Sequence, residues 1–281
     1  MRIINAITVD VEDYFHVQAF SDVIPLSQWD YYPLRVERNT LHLLELFASR
    51  QIRATFFVLG WVAQRCPNLI RQIVSGGHRI GCHSFNHQVV YESTERHFRE
   101  DLRRAKGIIE DTSGSAVSSF RAPSYSITAR SLWALETLAE EGFQYDSSIF
   151  PIVHDNYGIR NAPRFPYVRQ LQSGAQIREF PPSTVRMLGA NIPVAGGGYF
   201  RLYPYKMTAW AIHHLNENEG QPAMVYLHPW ELDPDQPRIS ASWLSRLRHY
   251  QNLDTTESKC LRLLDDYLWG PMEEAFPRSL H

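Results

Sequence analysis

Short apolar runs alternate with helix-like stretches along most of the chain. The apolar runs predict strands at Ile3–Val9, Ala54–Leu59, Arg79–Cys82, Ser118–Phe120, Phe143–Tyr145 and Ala223–Leu227. The stretches between and after them predict helices at Arg38–Arg50, Pro67–Ser75, Glu95–Asp111, Ala129–Glu141, Pro204–Glu219, Ala241–Gln251 and Thr256–Leu268. This alternation predicts an α/β fold, in which helices cover a mostly parallel sheet.

The pattern is interrupted between Phe150 and Tyr203, where Pro, Gly and Asn are frequent and β signals such as Gln176–Phe180 are short. A structureless loop of that length is unusual in a compact domain, so we expect hairpins or an insertion packed on the rim. No repeat or linker divides the chain. We therefore predict one main domain over residues 1–235, with residues 150–203 as an irregular rim segment and residues 236–281 as a helical extension packed on the same domain.

Composition narrows the possible functions. The 281 residues are 44% hydrophobic and 21% charged, and the net charge of −2 argues against a nucleic-acid partner. No apolar run reaches the roughly 18–20 residues that a bilayer requires, so we expect no transmembrane segment. The amino terminus lacks the apolar core of a signal peptide, which predicts a cytoplasmic protein. Three cysteines without a C-x-x-C pair predict neither disulfides nor a zinc-thiolate site. The oligomeric state stays open.

Polar clusters follow five of the six apolar runs. In parallel α/β folds, reactive side chains collect where strands end, so these clusters are the candidate chemistry. They contain Asp10, Glu12 and Asp13 after the first run, His83 and His87 after the third, Arg121 and Tyr125 after the fourth, Asp146 after the fifth, and His228, Trp230 and Glu231 after the last.

His83 and His87 are four residues apart, which would place both imidazoles on one face of a helical turn, where they can share a divalent ion. Such a pair is often merely structural, but nearby carboxylates strengthen the metal hypothesis. Strand alternation places Asp10 and Glu12 on one side and Asp13 on the other. When two acids share a site, one can bind the metal while the other acts as the general base. The plainer alternative for the acids is a solvated strand end or a helix N-terminus.

Three further residues are candidates for the acid–base chemistry. Arg121 close to Asp10 would keep that carboxylate ionised, or would form only a structural salt bridge. His228 is a candidate general acid. Asp146 could orient His228 and raise its pKa, or could serve an Asx turn.

The order of these motifs resembles that of the polysaccharide deacetylases (carbohydrate esterase family 4). The resemblance covers roughly residues 3–232 and rests on Thr8–Asp13, Ala54–Gly60, His83–His87, Arg121–Tyr125, Asp146 and Leu227–His228. A narrower resemblance, through Val9–Phe15, Tyr145–Ser148 and His228–Trp230, points to a branch found with bacterial exopolysaccharide and exosortase loci, which carries a C-terminal extension.

The resemblance implies a distorted (β/α)7 barrel that binds one divalent ion, usually zinc. It implies Asp10 as the base, Arg121 as the partner of the base, His228 as the general acid, and His83 and His87 as metal ligands. Most members have two adjacent aspartates, whereas Val11 separates the acids here. Because some relatives carry the ligand two positions on, we assign Glu12 to the metal, with Asp13 as the alternative.

The third motif also departs from the family form, since it contains Ala122, Pro123 and Ser124 before Tyr125. This leaves open which main-chain N–H near Tyr125 stabilises the oxyanion. Trp230 and the aromatic residues of the rim segment could line a sugar groove, or could simply pack the extension.

The implied function is removal of N-acetyl groups from an amino-sugar polysaccharide or its precursor, in bacterial exopolysaccharide biosynthesis, so that the expected partner is an N-acetylated carbohydrate. One alternative is a metal-dependent amidohydrolase that acts on a small cyclic amide or ureide. The other is a catalytically inactive carbohydrate-binding homologue.

Overall fold

The structure is a computed structural model that describes residues 3–155, 157–194 and 196–276. Its strands are β1 (Ile4–Val11), β2 (Thr55–Val58), β3 (Arg79–Cys82), β4 (Ser119–Phe120), β5 (Tyr145–Asp146), β6 (Tyr167–Gln170), β7 (Gln176–Glu179), β8 (Thr184–Met187), β9 (Ala190–Pro193), β10 (Met224–Leu227) and β11 (Leu268–Gly270). Its α-helices are α1 (Val36–Ala48), α2 (Gly60–Arg65), α3 (Pro67–Ser75), α4 (Glu95–Ser113), α5 (Ala134–Glu140), α6 (Gly197–Leu202), α7 (Tyr205–His213), α8 (Trp243–Tyr250), α9 (Leu253–Asp266) and α10 (Met272–Ala275).

The main sheet has the order β10-β1-β2-β3-β4-β5-β7-β6, and β11 pairs with the amino end of β1. Every pair in it is parallel except the β6–β7 hairpin. Val9 of β1 lies opposite Leu227 of β10 and Phe56 of β2, so β1 is central and buried. The prediction of an α/β fold with a parallel sheet is confirmed. The carboxyl ends of its parallel strands therefore meet at one edge.

The sheet curves strongly, as a distorted barrel does. Arg121 directly follows β4, yet its guanidinium donates to Thr8 Oγ1 on β1 at 2.8 Å, although β2 and β3 lie between these strands in the sheet. Past the end of β7, Ser183 Oγ accepts a hydrogen bond of 2.7 Å from Met224 N–H of β10. These contacts draw the two sides of the open ladder together around a buried interior.

The long helix α4 shows how the sequence sets the outer layer. The Thr94 side chain accepts a hydrogen bond from His97 N–H and caps the first turn, while Gly114 ends the helix in the left-handed conformation with φ of 66°. The face turned to the sheet carries Phe98, Leu102, Ala105 and Ile109. This apolar stripe at helical spacing fixes α4 against the barrel.

The end of the described chain closes the amino end of the barrel. Met272 and Phe276 pack with Phe57 and Met224 in an apolar cluster separate from the main core. Glu273 accepts hydrogen bonds from the hydroxyls of the first residues of β2 and β4, at 2.8 and 2.6 Å. The predicted helix Thr256–Leu268 ends instead at Asp266, and Leu268 begins β11. A strand of three residues is too short to leave a period in the sequence.

The segment 150–203 contains two hairpins, β6–β7 and β8–β9, followed by α6. Because β7 pairs with β5, this segment extends the main sheet as well as lying on its rim. At its end, a Cβ on Gly196 would lie 2.0 Å from Tyr226 O, so that only glycine permits this approach to β10. The glycine run thus places α6 directly beside the last parallel strand.

In the part of the chain that the structure describes, every helix is too short or too polar to cross a bilayer.

Candidate active site

A cavity of about 230 Å³ opens at the carboxyl edge of the sheet. Seven of the ten residues predicted for the site line it: Asp10, Glu12, His83, His87, Tyr125, His228 and Trp230. Of the other three, Arg121 lies directly behind the cavity wall, whereas Asp13 and Asp146 have other partners that are described below. The cavity and the predicted chemistry therefore coincide.

Glu12, His83 and His87 form a compact group, with one potential ligand atom from each residue within 4.8 Å of the others. Glu12 Oε2 lies 2.7 Å from His87 Nε2. That carboxylate oxygen is buried, and His87 is its close polar neighbour among the described residues. Two histidines and one carboxylate are a common ligand set for catalytic zinc. A buried carboxylate oxygen this close to an imidazole nitrogen fits a divalent ion at this position.

The hydrogen bonds that His83 and Glu12 make outside this group are those expected of metal ligands. His83 Nδ1 lies 2.7 Å from the Arg121 carbonyl oxygen. Because a carbonyl oxygen only accepts, Nδ1 carries the proton, which leaves Nε2 with a free lone pair. Trp230 Nε1 donates to Glu12 Oε1 at 3.1 Å and holds the carboxylate from the other side. Trp230 therefore supports a candidate ligand, besides lining the cavity.

The protonation states also suit cation binding. Burial lowers the pKa of His83 to about 4, so the imidazole is neutral at neutral pH. Burial alone would raise the pKa of Glu12, but His87, and after it His228 and His83, lower that pKa below its ordinary value. A neutral imidazole and an ionised carboxylate are the forms that coordinate metal.

The two histidines lie on a loop after β3, so the predicted helical turn is wrong. Ser84 and His87 have positive φ angles of 63° and 54°. Each such conformation costs about 1–3 kcal/mol in a residue other than glycine. The loop is held by Ser84 Oγ, which accepts from His87 N–H at 3.1 Å, and by the Asp101 carboxylate, which accepts from Phe85 N–H at 2.7 Å. Strained backbone thus turns both imidazoles toward Glu12.

Asp10 is held by the buried Arg121. The guanidinium donates to Asp10 Oδ1 at 2.7 Å and to Ser147 Oγ at 3.0 Å, and it lies 4.3 Å from the Phe57 ring centre. Asp10 Oδ2 points the other way and lies 3.8 Å from His228 Nε2. The candidate base and the candidate acid therefore face each other across the cavity.

Glu231, which sequence reasoning left without a role, is the carboxylate that faces His228. Glu231 Oε2 lies 3.3 Å from His228 Nδ1 and accepts from His228 N–H at 2.9 Å, while Oε1 pairs with Arg201 Nε at 2.8 Å. Burial alone would lower the pKa of His228, but Glu231 first, and then Glu12 and Asp10, raise it to about 9. The signal was present as a capping box, with Pro229 in the first turn and glutamate three residues after His228.

Asp146 does not contact His228, so the prediction that it orients this imidazole is corrected. Its carboxylate accepts from the Ser148 hydroxyl and is coupled to Glu179 on β7. Burial raises the pKa of Asp146 to about 6. Ser148 in turn accepts from Ala122 N–H at 2.8 Å, so that Asp146 supports the backbone beside Arg121. Asp146 is the last residue of β5, which is five strands away from β10 in the sheet order, and the sequence gives no sign of this separation.

Tyr125 lies in a strained turn at the wall of the cavity. Ser124 and Tyr125 both have φ of 53°, and Tyr125 N–H donates to the Ala122 carbonyl at 3.1 Å. That N–H is therefore engaged in the turn. The Tyr125 hydroxyl is buried without a hydrogen-bond partner among the described residues, and burial keeps its pKa well above the ordinary value. The phenol is thus a protonated donor at the cavity.

Asp13 points away from the cavity and caps α1. Its carboxylate accepts from Tyr14 N–H at 2.9 Å, from Arg35 N–H at 2.7 Å and from Val36 N–H at 2.8 Å. The group that could hold a metal contains Glu12 and not Asp13.

The fold and the site together define an α/β barrel protein with a cluster of imidazoles and carboxylates at its carboxyl edge. Residues 24–143 match the sequence model of the family described as polysaccharide deacetylase, and residues 147–277 match a domain of unknown function, DUF3473. Residues 24–143 of the chain thus carry the polysaccharide deacetylase sequence pattern that the motifs indicate. The second match coincides with the rim segment and the predicted C-terminal extension.

Individual proteins agree with this assignment. A peptidoglycan-N-acetylglucosamine deacetylase of Bacillus cereus is 31% identical over 98 residues, which are 34% of this chain and 36% of that protein. The matched region thus spans about a third of the length of this relative. The crystal structure of a polysaccharide deacetylase from Mycobacterium smegmatis, described as putative, superposes with a TM-score of 0.58 at 20% identity, covering 100% of this chain and 97% of the other. A mutant of a CE4 family pseudoenzyme has a TM-score of 0.51 at 14% identity, covering 98% and 67%. These two structures share the fold.

Proposed function

We propose that this protein is a metal-dependent hydrolase that removes N-acetyl groups from an amino-sugar polysaccharide or its precursor. The observation that carries the proposal is the convergence of Glu12, His83 and His87 in a cavity where Asp10 and His228 face each other at 3.8 Å. The resemblance to the branch found with exopolysaccharide loci supports a place in bacterial exopolysaccharide biosynthesis.

Glu12, His83 and His87 would hold one divalent ion, for which we propose zinc because two histidines and a carboxylate suit it. Such an ion polarises an amide carbonyl and lowers the pKa of water. Asp13 has no place in this ligand set, since its carboxylate is used by three backbone N–H groups.

Asp10 takes the proton from the attacking water, and Arg121 fixes the orientation of that carboxylate. His228 gives its proton to the nitrogen that leaves as the free amine. Glu231 holds the imidazole through Nδ1, so that Nε2 faces Asp10 and the substrate. The Tyr125 hydroxyl is the donor available to a polar group of the bound sugar.

Acetate release from a panel of N-acetylated oligosaccharides, with and without added zinc, tests the proposal. Acid–base groups contribute about 10²–10⁴ in rate. Asp10→Asn and His228→Ala should therefore nearly abolish acetate release while the fold and the bound metal are retained. Wild-type turnover by a purified, metal-loaded variant would remove the role assigned to that residue. Sugar binding without metal and without acetate release would identify an inactive binding homologue instead.

The small size of the cavity favours a second candidate activity, the hydrolysis of a small cyclic amide. At about 230 Å³ it is smaller than the roughly 300–1,000 Å³ of most ligand pockets. A small cyclic amide or ureide would fill such a space, and the same acid–base pair could open its ring. Hydrolysis of hydantoin or dihydrouracil without acetate release from any sugar would favour this activity over deacetylation.

A further inference from the structure

The wall of the active-site cavity carries one cation that no carboxylate neutralises. Arg121 pairs with Asp10, and Arg201 pairs with Glu231. Arg248 also lines the cavity, yet it takes part in none of the ion pairs found among residues 3–155, 157–194 and 196–276. Its charge therefore remains available to a ligand.

The backbone around Arg248 is fixed against the catalytic groups. The buried guanidinium of Arg201 donates to the carbonyl oxygen of Arg248 at 3.1 Å and to that of His249. The His249 ring stacks on Trp230, with 4.1 Å between the ring centres. The last turn of α8 is therefore anchored to the same side chains that hold Glu12 and Glu231, which positions Arg248 for recognition with little loss of backbone freedom.

Aromatic side chains line the same cavity wall as Arg248. Tyr157 lines the cavity and stacks on His154 with 3.8 Å between the ring centres. Tyr157 and Arg248 both line the cavity, and the charge of Arg248 partly opposes the rise that burial causes in the pKa of Tyr157. An aromatic side chain and a cation in one cavity wall offer contact area to a sugar ring and a partner to a charged substituent on it.

The whole chain has a net charge of −2, so the unpaired cation is a local feature of the cavity. Local positive charge at a binding site selects partners of opposite charge. We propose that Arg248 binds the carboxylate of an acidic sugar next to the N-acetylated sugar, which makes an acidic heteropolysaccharide the substrate. This inference rests on the proposed deacetylase function and specifies its substrate class.

Two tetrasaccharides that differ only in charge test the inference. Hyaluronan tetrasaccharide alternates N-acetylglucosamine with glucuronic acid, and its carboxyl-reduced form replaces each carboxylate by a hydroxymethyl group. For the wild-type protein, kcat/KM for acetate release should be about fivefold higher with the acidic form, as an exposed charged contact allows. Added salt should reduce this preference.

Arg248→Met should lose the preference, so that kcat/KM for the acidic form falls to that for the neutral form. Arg246→Met is the matched control, since Arg246 lies on the same helix, two residues away and outside the cavity lining, and this variant should keep the preference. Equal efficiency of the wild-type protein on both sugars would overturn the inference, as would an unchanged preference in Arg248→Met.

Calorimetric binding of both sugars to the Asp10→Asn variant separates this inference from the proposed function. If the wild-type protein releases acetate from neither sugar, the deacetylase proposal fails for these substrates. Tighter binding of the acidic form that is lost with Arg248→Met would still support the recognition site. Equal binding of the two forms, or no binding of either, would overturn it.

Discussion

Replacing Glu231 by glutamine tests the arrangement around the candidate general acid. Glu231 is fully buried, and its carboxylate lies between His228 Nδ1 at 3.3 Å and Arg201 Nε at 2.8 Å. Glutamine preserves the size of the side chain and can still accept from His228 N–H, but it carries no charge. The substitution therefore removes the electrostatic support of His228 with little change in shape.

Two effects of different size follow from these contacts. Arg201 loses its counter-charge in a buried position, which costs about 3–5 kcal/mol in the free energy of unfolding. His228 loses the carboxylate that holds and charges it, which removes part of the ~10²–10⁴ expected from a general acid. We expect kcat to fall about 10- to 100-fold, which corresponds to about 1.4–2.7 kcal/mol in the activation barrier.

The double variant Glu231→Gln with Arg201→Met distinguishes the two effects, because it leaves no unpaired buried charge. Urea unfolding should show part of the lost stability restored, because the carbonyls of Arg248 and His249 lose their donor in this variant, whereas acetate release should remain low. Bound metal should stay at the wild-type level, since Glu231 is not part of the Glu12 group. Glu219→Gln, in a half-buried ion pair with Arg164, is the control and should leave turnover unchanged. Wild-type kcat in a folded Glu231→Gln protein would refute the reasoning.

Two further predictions concern neighbouring carboxylates with different partners. Glu12→Gln should lose the bound metal while the protein stays folded. Asp13→Asn should keep the metal and lower the free energy of unfolding by about 1–2 kcal/mol, because both Asp13 oxygens accept from backbone N–H groups and an amide NH2 cannot replace either one. Metal analysis and urea unfolding of both variants check this, and the reverse pattern would make Asp13 the ligand. Burial raises the pKa of Asp146 from 3.8 to about 6 and also raises that of Glu179, so the folded state binds more protons than the unfolded state between these values. The contribution of this pair to the free energy of unfolding should therefore decrease as the pH rises from about 4 to 6. Glu179→Gln should make that decrease smaller in a pH series of denaturation curves. An unchanged slope in the variant would contradict the assignment.

The strands that position the site residues could be predicted from the sequence alone. β1, β2 and β10 are buried on both faces, so each is a continuous apolar run that stands out from its surroundings. The elements that were not predicted individually, among them α2, α6, α10 and β11, have three to six residues. They are fixed by contacts distant in sequence, such as the approach of Gly196 to Tyr226, and no local period reveals them.

In the candidate site, too, some features could be predicted from the sequence and others could not. Positions at strand ends could be found because parallel strands bring their carboxyl ends to one edge, whatever their order in the sheet. Which carboxylate faces His228 depends instead on that order. Asp146 ends β5, while Glu231 follows β10 on the same short turn as His228. A local capping pattern was therefore a better guide to this partner than a likeness to catalytic carboxylates elsewhere.

The division of the site between the two matched regions changes how the DUF3473 segment should be understood. The polysaccharide deacetylase match ends at residue 143 and contains His83, His87 and Arg121, whereas His228 and its supporting Glu231 lie within residues 147–277. The same segment supplies β10, which pairs with β1 beside Asp10, and α10, which closes the other end of the barrel. A segment that contributes the strand beside β1, the candidate general acid and the helix that closes the amino end is part of the same barrel. Variation in its sequence is therefore expected to affect the candidate site as directly as variation in the deacetylase motifs.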